Sequence, residues 1–427
     1  METKQLMIIA IAAAVIVVAG VAVYFLTADN NKNTTNDDSG DTDETTVVTV
    51  EDSVGRTVEV PENFDNGIVA VGWNVLKVLS FFDAHEHVTE VDYQEAQPML
   101  GSLQPHYYCY DMSTIKTHED TTMGGFSEST IEQIASENPS LVIMTSNVYN
   151  KYQTGSDALA KACPLVVLQL DSMSGYFYTV EDDKYVLQSD IKKSLSILGD
   201  VLGESDRDEE VVTALESTLA DIKTNALTDC STLFNLAGSA MAMGSGDINL
   251  VFPMFPPFEI AGAKNAAAEG GYTIASGFYT TLTPETFTTD YDFDVIMYDP
   301  TAPATLANPD DQAILQWLYG LQGTDDEKEI YITLTTALCG FEMMNVIADA
   351  YHTEVVGGSI TLDQMESKMT ALYKTLYGDT VGGSMWANLY NTMTARGAAS
   401  EVFTGLYEQA KVIQKEDGTY TLGAYSA

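Results

Sequence analysis

The sequence predicts an α/β fold of two Rossmann-like lobes joined by a long spacer helix, preceded by an N-terminal transmembrane helix and a disordered stalk. Three observations predict it. From Val47 onward, short buried-strand patterns alternate with amphipathic helix patterns, the order that builds parallel sheets with right-handed crossovers. One phrase is written twice, "STIEQIASENPSLVIMTSN" from Ser129 to Asn147 and "LTPETFTTDYDFDVIMYDP" from Leu282 to Pro300, as two copies of one lobe would require. At 427 residues the chain is also too long for a single ordinary core.

The elements divide the chain into 1–28 (signal or anchor helix), 29–46 (acidic stalk), 47–184 (first lobe), 185–227 (spacer helices), 228–378 (second lobe) and 379–427 (helical extension). Leu6 to Leu26 is a 21-residue stretch without a charge. As a helix rising about 1.5 Å per residue it spans a hydrocarbon layer of roughly 30 Å. An uncleaved anchor is favoured over a signal peptide, because Ala28 has the bulky Leu26 two residues before it. The bulk of the chain is expected outside the membrane. A lipid-anchored surface protein would need a Cys directly after the apolar segment, and the first Cys is Cys109. "TADNNKNTTNDDSGDTDETT" cannot bury apolar area and reads as the stalk.

A formal charge of −43 excludes nucleic acid and anionic lipid surfaces as partners, since neither could offset the repulsion. Cys109, Cys163, Cys230 and Cys339 are widely spaced and form no Cys-x-x-Cys, which leaves one or two disulfides and four buried thiols both open.

In the first lobe, "VVTVEDSVGRTVEV" alternates as a hairpin, "GIVAVG" is a buried strand, "WNVLKVLSFFDA" a helix and "HVTEVD" a second strand. "PSLVIMTS" and "PLVVLQLD" add strands, with a helix at "DALAKAC" between them. Two helical segments from Tyr185 to Leu227 break at Gly203 and make the spacer. The second lobe repeats the scheme with strands at "TLFNLAG", "GYTIA", "FDVIMYD" and "EIYITLT". Its helices fall at "DQAILQWLYGL", "GFEMMNVIADAYH" and "TLDQMESKMTALYKTLYG", and the last fifty residues are expected to continue helically.

Read in order, these segments carry a resemblance. The opening Val48–Asp92, "STIEQIASENPSLVIM", "LSILGDVLGESDRDEEVV", "AGAKNAA", the Pro-Glu-Thr-Phe helix and "DAYHTEVVGGSITLDQMESKMTALYKTLYG" resemble the class III periplasmic-binding-protein-like family. These are the iron-complex, siderophore and cobalamin substrate-binding proteins of ATP-binding-cassette (ABC) importers. The resemblance covers roughly Val47 to Gly378, and "YYCYDMSTIKTHEDTTM" and the tail depart from it. It implies two lobes that close on a ligand, no intrinsic cofactor, and an ABC permease dimer with its ATPase as partner. It also implies that one Glu per lobe docks onto Arg residues of the permease. In the doubled phrase those are Glu132 and Glu285, which as residues alone read as carboxylates complementing a helix dipole.

In open α/β lobes, ligands bind beyond the carboxyl ends of the strands. That places Trp73, Asn74, Tyr93, Tyr107, Tyr108, Tyr149, Tyr176 and Phe255 around the cleft, an aromatic lining suited to a large, mostly apolar metal chelate. His85-Glu86-His87 joins a helix to the next strand on the opposite side and is set aside as a metal site. His106 and His118, in the cleft-side insertion, are the weak metal candidates. Only Arg56, Arg207 and Arg396 are arginines, too few to cluster on a triply anionic catecholate. A ferric hydroxamate-type chelate fits better, with a corrinoid or haem as alternatives.

Catalysis lacks a motif: there is no Gly-x-Ser-x-Gly elbow and no phosphate loop with Lys. The expectation is therefore a membrane-anchored, extracytoplasmic solute-binding protein, not an enzyme. The reading from another class is a surface receptor or adhesion protein without a transport role.

Overall fold

Strand Ile68–Val71 is buried at all four positions, as are Leu141–Thr145 and Leu165–Leu168. Continuous apolar runs of this kind suit parallel strands covered on both faces. The computed structural model that places them describes residues 46–92, 96, 102–117, 128–225, 227, 233–237, 250–269, 280–281, 283–289, 292–299, 309–334, 342–398 and 405–425. The segments expected as anchor and, but for Thr46, as stalk lie outside these. Among the described residues no helix is long and apolar enough to cross a membrane.

In the first lobe five parallel strands lie in the order Lys116–Thr117, Val88–Val91, Ile68–Val71, Leu141–Thr145, Leu165–Leu168. Alternate residues serve opposite faces. Val69, Val71, Val142 and Met144 pack with Ile131, Ile134 and Leu159, while Ile68, Ala70, Leu141 and Ile143 join the larger core on the other side.

The opening hairpin, Val47–Glu51 with Thr57–Pro61, is held to this sheet through its turn. Asp52 is fully buried there and accepts from the backbone N–H of Val54, Arg56 and Val167 and from Nε and Nη2 of Arg56, at 2.6–3.2 Å. Arg56 also donates to the Leu165 carbonyl at 3.0 Å.

Among the described residues the second lobe has seven strands in the order Thr280–Thr281, Leu250–Val251, Leu233–Ala237, Val295–Asp299, Glu329–Ile332, Gln409–Gln414, Tyr420–Ala424. The central three are parallel and the outer ones antiparallel. Strand "GYTIA" of the sequence reading lies outside the described residues.

Two expectations are corrected. The spacer does not begin helically at Tyr185: Lys184–Leu187 pairs antiparallel with Tyr178–Glu181 across an Asp182-Asp183 turn, both residues having positive φ, and the helices are Ser189–Leu202 and Ser205–Thr224. Among the described residues the tail is helical over a π turn at Gly378–Gly382 and the α-helix Gly383–Ala398. Gln409–Gln414 and Tyr420–Ala424 then form a hairpin that extends the second lobe's sheet, because "QAKVIQ" alternates and Asp417-Gly418 supplies the turn, with φ 85° at Gly418.

One apolar core joins the lobes. It contains Ile68 and Leu79 of the first, Leu195 and Leu215 of the spacer helices, and Phe258, Met297, Met343 and Tyr373 of the second. A close-packed core shared in this way transmits strain from one lobe to the other.

Candidate functional site

The doubled phrase occupies equivalent places. Leu141–Thr145 lies between two parallel neighbours, Ile68–Val71 and Leu165–Leu168, and Val295–Asp299 lies likewise between Leu233–Ala237 and Glu329–Ile332. Helix Glu128–Glu137 feeds the first and Pro284–Thr289 the second. Ile131, Ile134 and Phe287 turn inward, and Glu132 and Glu285 are left exposed. Thr283 fixes the shorter helix by accepting the Thr286 N–H at 3.2 Å.

At the carboxyl ends of the first lobe's strands, Trp73 is half-buried and Asn74 is buried with φ 72°. Gly72 before them has φ 96°, and a Cβ there would lie 2.2 Å from Oγ1 of Thr145, so this turn needs glycine. Asn74 donates to the Leu170 carbonyl at 3.2 Å and accepts from Lys77 Nζ at 2.7 Å.

Tyr107 and Tyr108 sit in the turn Pro105–Cys109 with rings 6.5 Å apart and nearly perpendicular. The Tyr108 hydroxyl lies 2.6 Å from Thr392 Oγ1, tying the insertion to helix Gly383–Ala398. Tyr149 is buried under the Arg56 guanidinium, 4.7 Å from its ring centre, and donates to Asp157 at 2.6 Å. Its hydroxyl is thus committed to packing within the first lobe.

Tyr176 is half-buried, 5.8 Å from the Tyr178 ring, and burial together with the Glu259 charge pushes its hydroxyl up to about 12. Glu259 belongs to helix Pro256–Ala261, which follows Phe255. The Phe255 ring is buried between Phe252 at 6.2 Å and Phe258 at 4.8 Å. The Tyr185 hydroxyl donates to the Glu259 carbonyl at 3.0 Å, so the Tyr178–Leu187 hairpin straps the first lobe to the second. Tyr93 and His118 lie outside the described residues.

Sequence reasoning missed the polar cluster that joins the lobes. Lys77, fully buried in helix Val75–Phe81, lies 2.7 Å from Oε1 of Glu342, itself 1% exposed. Glu342 caps helix Met343–Val356, accepting the Asn345 N–H at 2.9 Å, and forms a backbone bridge with Ser174. Asn345 donates to the Leu103 carbonyl at 3.1 Å. A lone Lys in "VLKVLSFF" was the signal: an ammonium buried on an apolar helix requires a partner. His106 is buried beside this pair, and burial, reinforced by the Lys77 charge, lowers its pKa to about 3, so it is a neutral imidazole.

The other histidine motif is peripheral. His85 pairs with Asp83 at 3.2 Å and the His87 ring lies 5.6 Å from Phe64. Cys109 and Cys163 are free thiols, both pushed up to about 12 by burial, and Cys230 and Cys339 lie outside the described residues.

No curated protein is close enough in sequence to stand as a relative. Among solved structures, the fold is similar to a periplasmic solute-binding protein from Veillonella parvula, at 14% identity and a TM-score of 0.51, over 83% of this chain and 100% of that one. It is likewise similar to a TroA-like periplasmic binding protein, FepB, from Veillonella parvula, at 15% identity and a TM-score of 0.50, over 78% and 96%. At such identities the likeness is one of fold. The sequence itself matches the periplasmic binding protein family over residues 69–316, more than half of its length. The chain therefore belongs to the periplasmic binding protein family, the class III group of extracytoplasmic substrate-binding proteins that serve ABC importers.

Proposed function

We propose that this protein captures a metal chelate of the iron–siderophore type between its two lobes and delivers it to the permease dimer of an ABC importer, held at the membrane by the apolar segment Leu6–Leu26. The observation that carries delivery is the equivalence of Glu132 and Glu285. Two exposed carboxylates, each ten residues before its Val-Ile-Met run, lie on the helices that feed equivalent central strands of a unit with a shared core, an arrangement that can present paired charges to a dimeric partner.

The chelate reading draws on the aromatic side chains near the seam. Trp73, Tyr107 and Tyr176 are half-buried and Met254 is 42% exposed, offering apolar contact with polar edges. Two of the three arginines are already engaged, Arg56 with Asp52 and Arg207 with backbone carbonyls. A ligand of low negative charge therefore matches the seam better than a triply anionic catecholate.

Uptake of radiolabelled ferric hydroxamate into proteoliposomes carrying the cognate permease tests the reading. E132R and E285R are expected to keep ligand affinity and to lose most delivery. Unchanged uptake with both charges reversed would overturn the docking role of Glu132 and Glu285, and absence of uptake with the parent protein would favour a surface receptor without a transport role.

A further inference from the structure

Lys77 and Glu342 come from opposite lobes and meet where the carboxyl ends of the two sheets face each other. Lys77 lies just after strand Ile68–Val71, and Glu342 follows strand Glu329–Ile332 as the cap of the next helix. Neither is exposed to solvent beyond 1%. The ammonium is shared between Glu342 and Asn74, each at 2.7 Å, and Asn74 is tied to the Leu170 carbonyl. The other carboxylate oxygen is held by the Asn345 N–H, and Asn345 reaches back to the first lobe at Leu103.

We propose that Lys77 and Glu342 are a positioning pair that sets the separation of the two lobes. A buried ion pair is a poor source of net stability, because desolvation of both charges cancels most of the attraction. Its strength lies in geometry: the low-dielectric site penalises any separation that leaves either charge unpaired. Opening the lobes at this point would strand an ammonium on one side and a carboxylate on the other. Ligand entry therefore occurs at the rim of the seam while its floor stays shut, and the distance between helices Glu128–Glu137 and Pro284–Thr289 is held nearly constant. The consequence for delivery rests on the docking role proposed for Glu132 and Glu285; the positioning itself does not.

K77M and E342Q each leave one buried charge unpaired and are expected to melt well below the parent protein. K77M/E342Q removes both charges while the new amide side chain can still cap the helix, so its melting temperature should return towards that of the parent. Spin labels attached through non-native residues at Gln133 and Thr289, both exposed, report lobe separation by double electron–electron resonance. The double variant should show a broader distribution shifted to longer distances, and delivery should fall while ligand affinity changes less. A distribution identical to that of the parent would overturn the positioning role. Broadening with undiminished delivery would uphold it and overturn the docking reading instead.

Discussion

Arg207 donates its Nε to the carbonyl of Phe81 at 2.7 Å, joining the start of the second spacer helix to the end of the first lobe's first helix. Its Nη2 donates to the carbonyl of Leu376 at 3.1 Å and also to that of Thr375, and its Nη1 pairs with Glu210. One guanidinium thus closes the peptide ends of helices from both lobes. R207A should cost about 2–4 kcal/mol, since charged donors to several buried acceptors are lost together, and R207K should recover little of it. Chemical denaturation measures both.

Asp52 is the corresponding anchor of the opening hairpin. With its carboxylate removed, Arg56 and three backbone N–H groups lose their acceptor, and D52A should destabilise by about 3–5 kcal/mol. Hydrogen exchange should show the loss first in Val47–Pro61.

The pH dependence of stability has two opposing parts. Burial, with a further push from Asp221 against the pull of Lys368, raises the Glu354 carboxyl to about 8. From its ordinary value near 4.5 up to about 8 the unfolded chain ionises while the folded one stays protonated, so stability falls as pH rises through that window. E354Q should be about 1–3 kcal/mol more stable than the parent at pH 8 and equal to it at pH 4. Denaturant midpoints at the two pH values decide this.

His106 and His352 act in the other direction. Burial lowers both from 6.5 to about 3, and His352 packs edge-on between Tyr331 and Tyr407 at 6.0 and 4.7 Å. The unfolded chain takes up their protons from pH 6.5 downward and the folded chain does not until about 3, so stability falls as pH drops through that range. H352F should flatten the acid limb in a melting-temperature series.

Sixty-two acidic residues against 19 basic ones leave much of the surface repelling itself. Within about 10 Å, the screening length at 0.1 M salt, such repulsion relaxes as salt is added. The melting temperature should therefore climb between low and molar potassium chloride, and a fall across that range would show that attractive pairs dominate.

Much of the fold was legible because it is locally encoded. Leu141–Thr145 and Leu165–Leu168 are uninterrupted apolar runs, and Thr361 with Gln364 spells a capping box that the structure forms. The Tyr178–Leu187 hairpin escapes the sequence reading because helix is expected from Tyr185 onward, and its Asp-Asp turn is a weaker signal than Asn-Gly. The terminal hairpin was missed because helical continuation was extended past Ala398. The Lys77–Glu342 pair joins positions far apart in the chain, and only the unpaired look of Lys77 hinted at it. Tyr149 was placed by position after a strand, which does not reveal that Arg56 covers its ring.

Capture of a chelate is tested most directly by thermal shift on the chain from Thr46 onward, with ferric hydroxamates, ferric catecholates, corrinoids, haem and bare divalent ions each supplied in turn. A ferric hydroxamate at a hundred times its Kd should add about 2.7 kcal/mol of stability, with a matching change in Trp73 fluorescence. A shift with a bare divalent ion alone, and none with any chelate, would contradict the chelate reading.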